Sequence, residues 1–417
     1  MIKDIRLKLN IILEYLIAIL LVIGANSIYS HLDSINIHVN IVTILLLIAY
    51  VFNKVIIKYK VKSTINNIKK IFRKYFLFFG IYFVLMIIFF ILNHALNVNF
   101  ISVYLVMLPL FILIYGESKK SIITIMKNIV IIVAIVSVVS LLLYLLIDVF
   151  HLLKYSNEVK IAWGGTKKVE SFYYLYFKTQ NFYISNHTLI RNTSIYTEAP
   201  MFSLILTLSI CFNELFLKTN KFARYIFIVA MISTFSTTGY IAVTLIYMLL
   251  ILFKSKINKR LLFFILTIPL ILCFMLFFSR LKTSSGSTRI DDYLASYKTW
   301  VNSNIIYGAG YGNEDAIFEN VSDFRRHNMG LSNSFMVVLA EGGIYLLLLY
   351  LIPFIYTSIK FIKEKNWNYV VFNIIMLFLF FLAIFFYTNI MMSIVSCGYV
   401  AIIEDKKRKL KESKTKI

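Results

Sequence analysis

Two polar stretches interrupt an otherwise apolar sequence, at about residues 151–198 and 280–333, and both contain arginine. A guanidinium group can donate two parallel hydrogen bonds to one phosphate. The first stretch is also rich in Trp, Phe and Tyr, whose rings stack on the apolar faces of sugars and lie flat among lipid headgroups. The combination favours binding of a phosphate-linked sugar, and solvated surface charge is the alternative for any single residue. The arginines are Arg191, Arg280, Arg289, Arg325 and Arg326.

Three residues are candidate acids or bases by their position. Glu198 precedes Pro200 at the start of an apolar segment, where a carboxylate also suits a helix N-terminus. Glu341 lies about two turns into another apolar segment. An ionisable group within a membrane helix is a functional candidate because its burial is costly. His327 directly follows two arginines, whose charge favours its neutral, proton-accepting form.

Metal and cofactor motifs are missing from the sequence. The six histidines show no HxxH or HExxH spacing, and there is no Gly-rich phosphate loop. The acidic pairs Asp291-Asp292 and Glu314-Asp315 lack further ligands and are expected at the surface. The three cysteines lie in apolar runs, so they indicate no disulfide framework. We therefore predict no metal and no cofactor.

The composition indicates a membrane protein with many helices. Of the 417 residues, 60% are hydrophobic and 15% are charged, whereas a soluble domain has about 25% charged residues. This excludes an ordinary soluble enzyme, a disordered chain and a secreted disulfide scaffold. Stretches of about 20 apolar residues can each cross a bilayer as a helix. We therefore predict one all-α, polytopic membrane domain over residues 1–417, with 151–198 and 280–333 as its large outer loops.

Twelve apolar runs are predicted to be transmembrane helices. The seventh and eighth are short and are separated only by a Ser/Thr-rich stretch, so one broken helix is an alternative there. The predicted ranges are 9–29, 36–53, 75–93, 99–116, 128–150, 199–217, 225–235, 240–253, 261–279, 334–358, 369–386 and 389–403.

The distribution of Lys and Arg predicts the orientation in the membrane. With the amino terminus in the cytoplasm, 31 of the 43 basic residues fall in the termini and cytoplasmic loops, and the rest lie in the two large outer loops. This pattern follows the positive-inside rule and makes both termini cytoplasmic. The net charge of +23 is therefore mainly an orientation signal, and we expect no nucleic-acid partner.

Four short motifs follow one another between about residues 185 and 350. Arg191 is followed by a turn and then by Glu198-Ala199-Pro200, which opens an apolar segment. A Ser/Thr/Gly-rich break follows at 233–239. Arg289 lies in a polar segment that ends in a Gly-rich turn at 308–312. Asn333 then opens an apolar segment that contains Glu341-Gly342-Gly343.

The order of these motifs resembles the Wzy-type polysaccharide polymerase and O-antigen ligase family, and the helix number and loop placement extend the resemblance over the whole chain. Two features depart from the family pattern. The break at 233–239 lacks the arginine that family members often have there. Ser332 occupies the position of the family's histidine before Asn333, and His327 lies five residues upstream of it.

The resemblance implies a C-type glycosyltransferase architecture in the bacterial cytoplasmic membrane. Its reaction joins oligosaccharide repeat units at the outer face, with undecaprenyl-pyrophosphate-linked donor and acceptor, and it needs neither a nucleotide sugar nor a metal. A flippase and chain-length regulators are further partners that it implies, beside the lipid bilayer.

This reaction assigns roles to the candidate residues. Cations must receive the departing pyrophosphate, and a base must take the proton of the attacking hydroxyl. Arg191 and Arg289 come first as pyrophosphate ligands, and His327 stands ahead of Glu198 as the base. Alternatively, Glu198 orients Arg191 through an ion pair. The further substrate-binding candidates are Arg280, Arg325, Arg326, Asn333 and Glu341.

Three other functions remain open at this point. A ligase of the same family would pass finished glycan to a different acceptor. A flippase or other secondary transporter would move the lipid-linked oligosaccharide, and such proteins often have paired broken helices with charges at mid-membrane. The sequence indicates at most one break, which favours an enzyme. An accessory subunit of a glycan assembly complex is the last alternative.

Overall fold

The computed structural model describes residues 2–32, 36–58, 64–94, 97–163, 165–184, 187–254, 284–325 and 330–414, together with 271 and 275. These parts of the chain are mostly helical. The helices are α1 (Ile2–Ile23), α2 (Asn36–Lys58), α3 (Thr64–Leu92), α4 (Val98–Glu117), α5 (Lys119–Val149), α6 (Ala199–Phe216), α7 (Lys221–Ser233), α8 (Thr237–Lys254), α9 (Ser284–Asn302), α10 (Glu314–Phe318), α11 (Ser334–Lys363), α12 (Trp367–Leu382) and α13 (Asn389–Lys414).

Each predicted apolar range overlaps a helix except 261–279, of which the structure describes only residues 271 and 275. Among the described residues, six helices are long and apolar enough to cross a membrane, namely α4, α5, α6, α8, α11 and Tyr75–Leu92 within α3. The shorter apolar helices are Val39–Lys54 within α2 and the whole of α12. The helical membrane character of the chain is therefore supported, and the number of about twelve spans stays a prediction.

Helix α6 is the centre of the bundle. Every residue from Met201 to Cys211 is buried, which is expected for a helix that is apolar on all sides. Helices α5, α7 and α8 pack against it. Outside it, α1 packs on α2 and α5, whereas α11 packs on α12 and α13. Helix α6 begins at Ala199, so the residue before it is held at the edge of a rigid core.

Residues 157–190 correct the prediction of an all-α chain. They form an antiparallel sheet of β1 (Asn157–Ala162), β2 (Thr166–Phe172) and β3 (Tyr176–Lys178), and a hairpin of β4 (Asn181–Ile184) and β5 (His187–Ile190). The reason is visible in β1, where Val159 and Ile161 are buried between exposed charged residues. Such alternation with a period of two residues buries one face of a strand.

The predicted break between the seventh and eighth apolar runs is present. Helix α7 ends at Ser233 and α8 begins at Thr237. Between them Phe235 adopts a positive φ of 47°, which stops the helix. The two runs are therefore separate helices joined by a tight connection.

A second break lies inside α11, which the sequence predicted to be continuous. Gly343 has φ 60° and ψ −165°, a conformation that only glycine adopts readily. Residues 305–310 run beside the break and restore its backbone hydrogen bonds. Ala309 N donates to Ala340 O at 2.8 Å, and Tyr345 N donates to Ile306 O at 3.0 Å. The expectation of at most one broken helix was therefore wrong.

The two ends of the helix bundle differ in chemistry. At one end, which we call the loop end, residues 24–31, 157–198, 304–314 and 383–389 meet. Ile28 N donates to Ile195 O at 2.8 Å, and Asn93 Nδ2 donates to Tyr307 O. At the opposite end, ion pairs link helix termini, such as Lys119 with Glu404 at 2.8 Å. Within the described residues, parts of both large polar stretches therefore lie together at the loop end.

Candidate functional site

Arg191 hydrogen-bonds the backbone at the break between α7 and α8. Its side chain is only 7% exposed. Nε donates to Thr234 O at 2.9 Å and Nη2 to Phe235 O at 3.1 Å, which satisfies carbonyl groups released by the break. Nη1 donates to Gln180 Oε1 at 3.3 Å. These bonds give Arg191 a positioning role in the fold.

Glu198 occupies the N-cap position of α6, but its side chain makes no capping hydrogen bond. Its Oε1 atom instead accepts a hydrogen bond of 2.8 Å from Trp163 Nε1. Trp163 follows β1, so this bond joins the sheet to the start of the central helix. Glu198 is partly exposed, and its carboxylate therefore faces the space beside the sheet.

Arg289 is brought close to Glu198 from the other polar stretch. It lies on α9, and its Nη1 donates to Leu382 O at the end of α12 at 2.7 Å. Burial lowers the pKa of the Arg289 guanidinium, and the nearby carboxylates of Glu198 and Asp292 oppose this shift. The fold thus places Glu198 and Arg289 within electrostatic range of each other, an interaction that the sequence did not predict.

Arg325 belongs to a buried ion pair. Its Nη1 contacts Asp292, and the two side chains are 1% and 0% exposed. Nη2 donates to Gly330 O at 2.6 Å. Asp292, which was expected at the surface, is thus in the interior, because Arg325 on the following segment folds over it. Arg325 stabilises the fold of the second polar stretch.

Asn333 caps helix α11. Its Oδ1 accepts a hydrogen bond from Met336 N at 2.8 Å, the usual arrangement for an asparagine N-cap. The side chain is fully buried, and Nδ2 has no partner among the described residues. The next residue, Ser334, bonds to Ala383 O at 2.7 Å. Asn333 is therefore fixed next to the end of α12, where Arg289 also binds.

Glu341 lies just before the break in α11 and is 3% exposed. Its Oε2 accepts a hydrogen bond from Gly312 N at 3.0 Å, so it holds the Gly-rich turn against the broken helix. Gly308 allows this contact because a Cβ atom there would overlap the Glu341 backbone. Glu341 also lines a cavity, described next.

Two adjoining cavities open at the loop end. The first, of about 280 Å³, is lined by Glu314 and Glu341 and is called the carboxylate cavity. The second, of about 480 Å³, is lined by Asn40, Asn97 and Asn313 and is called the amide cavity. Within the described residues, neither cavity wall contains Lys or Arg. The residues common to both walls are Asn40, Asn97, Asn99, Tyr311 and Gly312.

His31 lines the carboxylate cavity and was not singled out by the sequence. Its ring contacts the Trp163 ring edge to face, with 4.7 Å between centroids. Burial lowers the pKa of the His31 imidazole to about 4, and a hydrogen bond with the Ala162 backbone opposes this shift. Its Nε2 atom has no partner in the described part of the chain. A neutral imidazole with a free ring nitrogen can accept a proton from a ligand.

Tyr387 is a half-buried residue within electrostatic range of three acids. It lies between α12 and α13 and lines the carboxylate cavity. Burial raises the pKa of its hydroxyl, and the carboxylates of Glu314, Glu341 and Glu198 raise it further. Three acids from separate segments therefore act electrostatically on one hydroxyl. No sequence motif joins them, because only the tertiary fold brings them together.

Three of the predicted site residues, Arg280, Arg326 and His327, lie outside the described residues. Among the rest, the fold brings Glu198 and Arg289 together and sets Glu341 in the adjacent cavity wall. Within the described ranges, no group of three or more His, Cys, Asp or Glu residues has the spacing of a metal site.

Comparison of the chain with protein-family models, with curated proteins and with solved structures found no match. The functional interpretation therefore depends on the residues and their geometry.

Proposed function

We propose that this protein is a membrane glycosyltransferase of the Wzy type, which joins undecaprenyl-pyrophosphate-linked oligosaccharide repeat units into a surface polysaccharide. One observation carries the proposal. Glu198 and the half-buried Arg289 come from different polar stretches and lie within electrostatic range of each other, and Trp163, which binds Glu198, lines a cavity with carboxylates, amides and aromatic rings. This set of groups suits a sugar attached to a phosphate.

The proposed orientation has about twelve spans, both termini in the cytoplasm and the loop end at the outer face of the bacterial cytoplasmic membrane. Two features support it. The segments expected outside lie together at the loop end, and Lys119 and Lys360 pair with acids at the opposite end. A bilayer around the apolar helices would give the lipid tails of both substrates direct access to the cavities.

In the proposed reaction, the hydroxyl oxygen of an acceptor sugar forms a bond to the anomeric carbon of the donor glycan. The bond between that carbon and the pyrophosphate oxygen breaks, and lipid pyrophosphate leaves with the electron pair. We assign Arg289 to this leaving group, because a cation aimed at the developing charge lowers the barrier. Glu198 then serves to orient Arg289.

The acceptor proton must pass to a base. His327 and Glu198 were the candidates from the sequence, and His327 keeps that role as a proposal. The carboxylate cavity adds His31, whose ring contacts Trp163 in the same wall and whose Nε2 has no partner among the described residues. We favour His31 over Glu198, because the Glu198 carboxylate already binds Trp163 and lies beside Arg289.

Purified protein in detergent, supplied with lipid-linked repeat units, tests the proposal. The wild type is expected to lengthen the glycan and release lipid pyrophosphate. Arg289→Ala should reduce the rate by at least about 100-fold, the usual effect of removing one group that stabilises transition-state charge. Arg289→Lys should restore little, because a point charge does not reproduce the guanidinium fork.

Lys298→Ala is the matched control, since Lys298 lies on the same helix and is exposed. It should elongate like the wild type. A wild-type protein that never lengthens the glycan would contradict the function. Full elongation by Arg289→Ala would exclude Arg289 from the mechanism but would leave the proposed function standing.

A ligase would use the same chemistry with another acceptor. Transfer to a lipid core acceptor, without joining of repeat units, would identify it. A transporter is the second candidate, because breaks at 234–236 and at Gly343 now give the chain two interrupted helical regions. Movement of lipid-linked oligosaccharide across vesicles of purified protein, without elongation, would favour transport.

A further inference from the structure

The amide cavity differs in chemistry from its neighbour. Its described walls contain no Asp, Glu, Lys or Arg. The polar groups are amides, the Ser102 and Tyr311 hydroxyls and the His94 imidazole, and Ile41 and Val98 supply apolar surface. Its volume of about 480 Å³ is within the range of about 300–1,000 Å³ that is typical of small-molecule sites.

Two amide nitrogens in the wall are available to a ligand. Asn97 Oδ1 accepts a hydrogen bond from Asn99 N at 2.8 Å, and Asn40 Oδ1 accepts one from Asn389 Nδ2 at 3.2 Å. Both amide oxygens are thus engaged. Neither Asn40 Nδ2 nor Asn97 Nδ2 hydrogen-bonds another residue within the described ranges. Each therefore offers donors to a ligand in the cavity.

In Asn313 the amide nitrogen is engaged and the amide oxygen is available, the opposite of Asn40 and Asn97. Its Nδ2 donates to Ala309 O at 3.1 Å, which leaves Oδ1 as an acceptor. The cavity thus combines free donors with a free acceptor. Sugar hydroxyl groups both donate and accept, so they satisfy both kinds of group. A simple cation or anion would satisfy only one kind.

The adjoining carboxylate cavity restricts the charge of the ligand. Glu314 and Glu341 lie in its wall, and Tyr311 and Gly312 are shared by the two walls. A ligand that bridges the two cavities comes close to the exposed Glu314 carboxylate. Like charges placed together cost several kcal/mol, so a sugar acid is disfavoured.

We infer that the amide cavity binds an uncharged sugar unit, which is the acceptor in the reaction proposed above. This inference rests on the proposed function only where it calls the bound sugar the acceptor. The sugar site itself is argued from the residues of the cavity wall. The amide cavity then holds the acceptor sugar, and a hydroxyl of that sugar extends to His31 in the wall of the adjoining carboxylate cavity. The residues of the same two cavity walls would also make the protein select uncharged repeat units over anionic ones.

Binding to the purified full chain in nanodiscs tests the site without turnover. The probes are the methyl glycosides of glucose, galactose, mannose and N-acetylglucosamine, each paired with its C6 carboxylic acid. Ligand-observed NMR measures the affinity. At least one neutral glycoside should bind, and its acid partner should bind at least about tenfold more weakly, a difference of 1.4 kcal/mol. Absence of binding by all neutral probes, or equal binding of a pair, would overturn the inference.

Asn97→Asp and Asn40→Asp are the test variants. Each keeps the engaged Oδ1 acceptor and replaces the free donor by a negative oxygen, so each should weaken neutral binding about tenfold or more. Asn302→Asp, at an exposed site outside both cavities, is the control and should bind like the wild type. Equal thermal midpoints ensure that the variants are folded, and unchanged affinity in a folded variant would refute the site.

The same variants separate the two proposals. If the wild type elongates glycan but Asn97→Asp shows an unchanged KM for the acceptor, the acceptor assignment fails and the polymerase stands. If neutral sugars bind as expected but no glycan is lengthened, the polymerase fails and the sugar site stands.

Discussion

The charged residues of this protein divide into those that stabilise the fold and those that face a cavity. Arg191 and Arg325 belong to the first group, because backbone carbonyls and a buried carboxylate surround their guanidinium groups. Glu314 and Glu341 belong to the second group, since they line the carboxylate cavity, and Glu198 binds Trp163 in the same wall. The role of each side chain is set by its burial and its partner, and residue type alone does not reveal it.

The buried pair gives a test of this division. Asp292→Ala should destabilise the protein by about 3 kcal/mol, because it leaves the Arg325 guanidinium in the interior without its closest carboxylate. Asp292→Ala combined with Arg325→Met should recover part of this loss, because the lone buried charge is gone. The thermal midpoint in detergent measures both effects.

Glu158→Ala is the matched control for the pair. Glu158 lies 3.7 Å from Lys168, and both side chains are more than 60% exposed. Exposed pairs contribute about 0–1 kcal/mol, so the midpoint should hardly move. A loss after Asp292→Ala as small as that after Glu158→Ala would contradict the structural role of the buried pair.

Among the secondary structure elements, the broken helix α11 does most to shape the cavities. Because Gly343 interrupts the helix, residues 305–310 can pair with its open backbone groups. The Gly-rich turn that follows is bonded to Glu341 through Gly312 N. Irregular backbone within an apolar bundle is tolerated where protein groups satisfy it in this way.

Gly343→Ala should disrupt this arrangement. A Cβ atom at Gly343 would overlap the Ile306 carbonyl, and the φ of 60° with ψ of −165° is unfavourable for alanine. The backbone term alone is about 1–3 kcal/mol. We expect a lower thermal midpoint and loss of neutral-sugar binding, measured by NMR.

Gly80→Ala provides the comparison, since Gly80 lies within α3 and no atom lies within 4 Å of a Cβ there. Alanine inside a helix is favoured over glycine by about 0.5–1 kcal/mol, so this variant should be at least as stable as the wild type. Equal midpoints for the two variants would show that the break at Gly343 is not required.

Over the whole molecule, polar chemistry is concentrated at the loop end and helix-terminal ion pairs at the opposite end. The described parts of the two polar stretches, of the α1–α2 connection and of residues 383–389 lie together there. The proposed orientation assigns this region to the outer face, where a lipid-linked glycan would be accessible.

Cysteine labelling measures this orientation. In a background without the three native cysteines, Lys168→Cys and Lys363→Cys each add one exposed thiol, one at each end. A membrane-impermeant maleimide on intact cells should label Lys168→Cys. Lys363→Cys should be labelled only after permeabilisation. The reverse pattern would put the cavities in the cytoplasm and contradict an outer-face reaction.

The sequence alone determined the apolar helices, their approximate ends and the break after Ser233. These features are local, because a long apolar run or a Ser/Thr-rich interruption acts through its own residues. It missed the strands at 157–172, where the alternation of Val159 and Ile161 with charged residues was present but was interpreted as loop. It also missed the break at Gly343, since glycine inside an apolar run gives no signal of its own.

Only the tertiary structure decided which polar groups share a site. Glu198 interacts electrostatically with Arg289, Asp292 is buried by Arg325, and His31 contacts Trp163 across more than one hundred residues of sequence. Such pairings depend on how helices and loops pack, and this information is spread over the whole chain. Composition and motif order could therefore indicate the kind of chemistry, whereas the partners of each side chain required the fold.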